Sequence, residues 1–91
     1  MARIPPPAEE RHPALLAFGE AVRRHRKALS YSQEAFADAC EIDRSYMGGV
    51  ERGERNLAMI NIMRIIEALR MKPSDFFAEM DYPKRKRAKT T

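Results

Sequence analysis

The sequence predicts an all-α protein, a single bundle of five short helices, and three observations carry that prediction. Apolar residues recur at intervals of three, four and seven through successive segments, the spacing that puts side chains on one face of a helix. Ser32 and Asp43, residues suited to helix N-caps, stand immediately before two of these segments. Prolines gather at the two ends, in MARIPPPAEERHP and at Pro83, where regular helix cannot continue. With 91 residues and 44% hydrophobic composition, the chain can bury one core but not two of ordinary size.

Residues 1–13 read as a flexible, Pro-rich arm, because Pro5, Pro6, Pro7 and Pro13 lack a donor N–H and restrict the residue before them. From about 14 to 28, Leu15, Phe18, Val22 and Leu29 keep helical spacing while Arg23, Arg24, Arg26 and Lys27 fill the other positions, giving a first helix. Ser32 followed by Gln33 and Glu34 has the composition of an N-cap with acid in the first turn. It opens a second helix over 33–40 whose inward face is Phe36, Ala37 and Cys40. After the short connection Glu41-Ile42-Asp43, Asp43 caps a third helix over 44–51. At about 100° per residue, Met47 and Val50 share its buried face. Ser45, Gly48, Gly49 and Arg52 lie opposite, flanked by Arg44 and Tyr46, and Gly53 suits the left-handed residue that ends the helix.

The fourth helix, 57–70, is apolar on more than one side. A core face of Met59, Ile62, Ile65, Ile66 and Leu69 leaves Ile60 and Met63 as a second apolar edge, suited to a partner surface. Pro73-Ser74-Asp75 opens a fifth helix, 73–80, whose Phe76 and Phe77 either close the bundle or join that edge. The helical domain is thus 14–81, followed by a basic tail, 82–91.

Charge is unevenly placed. The net charge of +4 comes from the last eight residues, KRKRAKTT, which hold five bases; the other 83 carry 12 basic and 13 acidic side chains, a net of −1. Overall basicity is therefore weak support for nucleic-acid binding by the folded part. The tail is either a solvated segment or a phosphate-attracting arm or localisation signal. No apolar run approaches the roughly 18 residues of a membrane span, and the N-terminus lacks a secretory apolar segment, so the expectation is a soluble cytoplasmic protein without membrane contact. Cys40 has no second cysteine to pair with, and with His12 and His25 it forms no metal-ligand spacing. It reads as a small core residue, and His25 as a surface residue. No nucleophile-base-acid arrangement and no glycine-rich phosphate loop is present. The expectation is no catalytic residue, cofactor, metal or small-molecule ligand, with Asp38, Glu41 and Asp43 serving helix ends.

What remains is a pair of short helices joined by a tight turn, the second exposing its first residues. This is the arrangement of a helix-turn-helix, whose second helix enters the major groove of duplex DNA. Arg44 carries a planar fork able to donate to guanine O6 and N7, worth about 1–3 kcal/mol of discrimination. Ser45 can bond either kind of base, and Tyr46 can pack its ring on sugar or a thymine methyl. Gln33 places an amide at a helix start, suited to a phosphate oxygen, and Arg52, Arg55 and Asn56 would meet the backbone beyond. Gly48 and Gly49, without side chains, would let the helix backbone approach the groove closely and concentrate readout at the helix start. The competing reading makes Gly48-Gly49 a turn in a surface loop, but Met47 and Val50 keep helical spacing across them.

The runs FGEAVRRHR, SQEAFA, DRSYMGGVERGERN and IIEAL, in this order and spacing, resemble the lambda-repressor-like helix-turn-helix, or Xre, family over about residues 15–78. DRSYMGGVERGERNL is most similar to the controller proteins of restriction-modification systems. The resemblance implies phosphate contact by Gln33, base readout by Arg44, Ser45 and Tyr46, and backbone contact by Arg55 and Asn56. It also implies a structural salt bridge between Arg26 and Glu51, a phosphate contact at Asn61, and a dimer interface in helices four and five, at Ile60, Met63, Phe76 and Phe77. The family usually has glycine where this chain has Ser30 and Glu41, and many relatives have Gln, Arg or Ser where it has Gly48 and Gly49.

The implied function is that of a homodimeric transcription regulator, not an enzyme. It would bind a two-fold symmetric duplex operator, control its own gene and an endonuclease gene, and sit on the bacterial nucleoid when bound. The alternative is an antitoxin or other module of this fold whose main partner is a protein.

Overall fold

The computed structural model describes Ile4, Pro7 and residues 10–82. The tail with its KRKR run and most of the proline-rich arm lie outside the described residues. Within them are five helices and no strand: α1 (Pro13–Ala28), α2 (Gln33–Cys40), α3 (Arg44–Glu51), α4 (Met59–Ala68) and α5 (Pro73–Glu79). No helix among the described residues is long and apolar enough to cross a membrane.

Local chemistry sets the helix starts. Pro13 occupies the first turn of α1, where its missing N–H costs nothing, and the His12 ring accepts from Ala14 N. The Ser32 hydroxyl accepts from Ala35 N, and the Asp43 carboxylate accepts from the N–H groups of both Ser45 and Tyr46. The start of α4 lacks such a cap. Ala58 offers no side-chain acceptor, and the helix begins at Met59 and closes at Ala68, shorter than the apolar pattern over 57–70 indicates. Leu57, outside the helix, is half-buried against the core.

The helix ends share one geometry. After α1, α2, α3 and α4, the residue that turns the chain is left-handed: Ser30 (φ 63°), Glu41 (φ 58°), Gly53 (φ 76°) and Arg70 (φ 59°). Each turn returns two N–H groups to the last carbonyls, as from Glu41 N to Asp38 O (3.0 Å) and from Ile42 N to Ala37 O (2.9 Å). Of the four, Gly53 alone has the residue type that makes this conformation free of strain.

The core draws on every helix: Phe18, Ala21 and Val22 of α1; Phe36, Ala37 and Cys40 of α2; Met47 and Val50 of α3; Ile65, Ile66 and Leu69 at and beyond the end of α4; Phe76 of α5. Burial pushes the Cys40 thiol up to about 12, which leaves it a small, inert core group. Several expected placements are corrected. Leu29, at the end of α1, is 45% exposed because the chain turns there; Met59 is exposed rather than in the core, because the helix begins with it. Phe76 is fully buried against Phe18 (5.3 Å between ring centroids), whereas Phe77, rotated by about 100° on the same helix, stays 45% exposed. Phe76 therefore closes the bundle and cannot serve a dimer surface. His25 is half-buried beside Phe76, with Nε2 3.9 Å from the Glu79 carboxylate, rather than an open surface residue.

Gly19 fixes how closely α1 and α3 approach. A β-carbon there would run into the backbone carbonyls of Val50 and Glu51. Glycine in mid-helix costs about 1 kcal/mol in propensity, and here it permits the crossing that seats α3. Relief at a strained helix end is a direct test of the turn geometry. Glu41→Gly should raise stability by about 1 kcal/mol, read as an upward shift of several degrees in thermal unfolding. An unchanged or lowered midpoint would show that position 41 stores no strain.

Candidate nucleic-acid interface

The third helix is held by a buried ionic lock. Arg26 Nε and Nη2 donate to the two Glu51 carboxylate oxygens at 2.7 and 3.0 Å, and Nη1 donates to Tyr31 O at 2.8 Å. Gln33 Nε2 donates to Glu51 Oε1 at 3.1 Å. One carboxylate at the end of α3 thereby ties together α1, the turn after it and the start of α2. The side chains of Arg26 and Glu51 are only 9% and 4% exposed, so each charge depends on the other for its solvation. The Gln33 amide is shared between this lock and the surface. One of its N–H donors is committed to Glu51, and its oxygen lies beside Gly48 of α3.

On this frame α3 presents its first turn. Arg44 and Ser45 are exposed, and Tyr46 is half-buried. The Arg44 guanidinium lies 3.6 Å from the Glu34 carboxylate at the first turn of α2, with both side chains 69% exposed. The Arg55 guanidinium sits over the Tyr46 ring, 5.1 Å from its centroid, a cation–π contact that covers one face of the tyrosine. Arg52 makes a two-pronged contact to Glu54, at 2.7 and 3.2 Å. That contact, chiefly its hydrogen bonds, holds the Glu54 carboxyl below the usual carboxylate range and the Arg52 guanidinium above its own. Asn56 is exposed and Asn61 half-buried.

The bare backbone expected at Gly48 and Gly49 is absent. Both glycines are buried, because arginine side chains fold back over them. A β-carbon at Gly48 would lie 3.0 Å from Arg52 Nη1 and 3.4 Å from Gln33 Oε1; one at Gly49 would lie 3.0 Å from Arg55 Nε and 3.1 Å from its Cγ. The two glycines lie on the side of α3 that the helical wheel gives them, but what they admit is the Arg52 guanidinium at Gly48 and the Arg55 stem at Gly49. No local pattern signals this, since the covering residues come from beyond the helix end.

Sequence reasoning also left Arg11 and Glu54 unassigned. Arg11, within the stretch expected to be a free arm, contacts the body: Arg11 Nη1 donates to Arg52 O at 2.8 Å, and Nη2 lies 3.4 Å from Glu54 Oε2. Met59, Ile60 and Phe77 are exposed, and Phe77 lines an apolar groove of about 170 Å³ with Phe18, Leu57, Ile62 and Met80.

Residues 22–76, more than half of the chain, match the helix-turn-helix family model. The chain is 43% identical over 61 residues to control protein C.BamHI of Bacillus amyloliquefaciens, covering 66% of this chain and 75% of that one. The fold matches the crystal structure of the restriction-modification controller protein C.AhdI from Aeromonas hydrophila, with a TM-score of 0.69 at 42% identity, covering 72% of this chain and 100% of that one. It also matches the controller protein C.Esp1396I, crystallised as a tetramer with its natural 35 base-pair operator, with a TM-score of 0.68 at 27% identity, covering 72% and 87%.

The ionic lock makes a quantitative prediction. Glu51→Ala strands the buried Arg26 charge and should cost about 3–5 kcal/mol of folding stability, measured by urea unfolding. A loss under about 1 kcal/mol would mean that the pair does not hold α3.

Proposed function

We propose that this chain, which belongs to the helix-turn-helix family and stands within it among the restriction-modification control proteins, is a sequence-specific DNA-binding transcription regulator. It acts as a homodimer on a two-fold symmetric operator and regulates its own gene together with that of the endonuclease. One observation carries this reading: the capped first turn of α3 exposes Arg44 and Ser45 while the rest of the helix is locked to the body through Glu51. A helix so held can enter the major groove with its first residues toward the base edges.

In this mechanism Arg44 exchanges its exposed contact to Glu34 for a guanine, an exchange with little to lose because such a surface pair contributes at most about 1 kcal/mol. Ser45 and Tyr46 read the neighbouring step. Gln33, Arg52, Arg55, Asn56 and Asn61 meet phosphates on either side. Gly48 and Gly49 serve by seating Arg52 and Arg55, and not by bringing bare backbone to the groove. With few direct base contacts, part of the specificity falls to DNA shape and deformability.

Two copies meet through the apolar edge of Ile60, Met63 and Phe77, which would set two recognition helices about 34 Å apart. Exposed Ile60 and Phe77 support this assignment, while buried Phe76 lies behind it.

Three variants test these roles, with binding measured on duplex taken from upstream of the chain's own gene. Arg44→Ala should relax selectivity at one base position per half-site by about 1–3 kcal/mol. Arg55→Ala should weaken operator and scrambled duplex alike and reduce the salt slope by about 1. Equal, sequence-independent losses in both variants would remove the assignment of direct readout to Arg44. Ile60→Asp should yield a folded monomer by sedimentation and weaken operator binding about a hundredfold or more; a variant still dimeric would place the interface elsewhere.

A further inference from the structure

Glu54 lies at the centre of a small arginine cluster. Its carboxylate accepts from Arg52 and lies 3.4 Å from the Arg11 guanidinium, and Arg55 follows it directly in the chain. Arg11 and Glu54 are both largely shielded, with side chains 16% and 13% exposed, while Arg52 stays 58% exposed. From a point ahead of α1 the Arg11 fork thus reaches the carbonyl of Arg52, which caps the end of α3, and the carboxylate of Glu54 in the loop that follows. A cation at that carbonyl also complements the negative end of the α3 dipole. Residue 11 lies outside the 22–76 stretch that matches the family model.

We infer that Arg11 is a positioning residue for DNA binding: acting through Glu54 and Arg52 O, it straps the segment before α1 to the loop 53–56 and sets where Arg52 and Arg55 meet the phosphate backbone. The inference rests on the DNA-binding reading above. Arg52 emerges from the end of α3 and Arg55 from the loop, so both guanidiniums move with the backbone that Arg11 and Glu54 pin. A mobile loop would still offer the same charges, but out of register with the recognition helix.

The test uses the full chain with fluorescence anisotropy, on duplex bound by the wild type and on a scrambled duplex, across a range of salt. Arg11→Gln should weaken binding to the bound duplex about fivefold, the size expected when one member of a coupled network is removed. Cooperative thermal unfolding should be retained, while the amides of residues 53–56 exchange faster than those of α1 and α4. Arg11→Lys keeps the charge but lacks the fork, and should bind no better than Arg11→Gln. The loss in the double variant Arg11→Gln, Glu54→Gln should fall short of the sum of the two single losses, because the Arg11–Glu54 contact is counted in both.

Binding by Arg11→Gln within twofold of wild type overturns the inference. Restoration by Arg11→Lys, or additive losses with a salt slope reduced by about 0.9, also overturns it, making Arg11 a phosphate contact in its own right. A wild-type chain that binds neither duplex would remove the DNA-binding reading itself, an outcome distinct from insensitivity of Arg11.

Discussion

The placement of α3 depends on the contact of Arg26 with Glu51. Core packing through Met47 and Val50 is strong but non-directional, and several rotations of an eight-residue helix could bury the same two side chains. The ionic lock removes that freedom. Each of the three Arg26 guanidinium nitrogens donates to an acceptor, and both Glu51 oxygens are used, so the geometry specifies a single angle between α1 and α3. Gly19 makes the lock reachable by letting the two helices close to backbone contact. The energetic gain of such a buried pair over an apolar substitute is small. What it supplies here is orientation, which a helix that must align with a groove requires.

The outward surface follows another logic. Arg44 and Arg52 each have a carboxylate nearby, in Glu34 and Glu54, and Arg55 lies on the Tyr46 ring. Cations on this face are thus held before any partner arrives, which reduces the side-chain entropy lost on binding. The same acidic neighbours temper the attraction to arbitrary phosphate backbone, so the face favours ligands that match it in shape as well as in charge.

Much of the fold was legible because local chemistry repeats tertiary intent. The starts of α2 and α3 follow from Ser32 and Asp43, whose side chains fix the first turn wherever the helix packs. The start of α4 was not legible: Leu57 and Met59 continue an apolar pattern, yet Ala58 has no oxygen to cap the helix and Met59 faces outward. Phe76 and Phe77 are identical in composition and adjacent, so the choice of which one enters the core rests on the rotation of α5. Ser30 and Glu41 hide their left-handed turns because neither advertises that conformation as Gly53 does. The same limit holds at Gly48 and Gly49. Two missing side chains point to something close by, and the sequence alone does not say that the neighbours are Arg52 and Arg55.

The claim that α3, fixed by the ionic lock, reads a symmetric DNA site is tested most directly by selecting bound sequences from random duplex with the full-length protein. The account predicts enrichment of a two-fold symmetric consensus whose half-sites are centred about one helical turn, roughly 34 Å, apart. Recovery of no enriched sequence, or of a single half-site without symmetry, would contradict it.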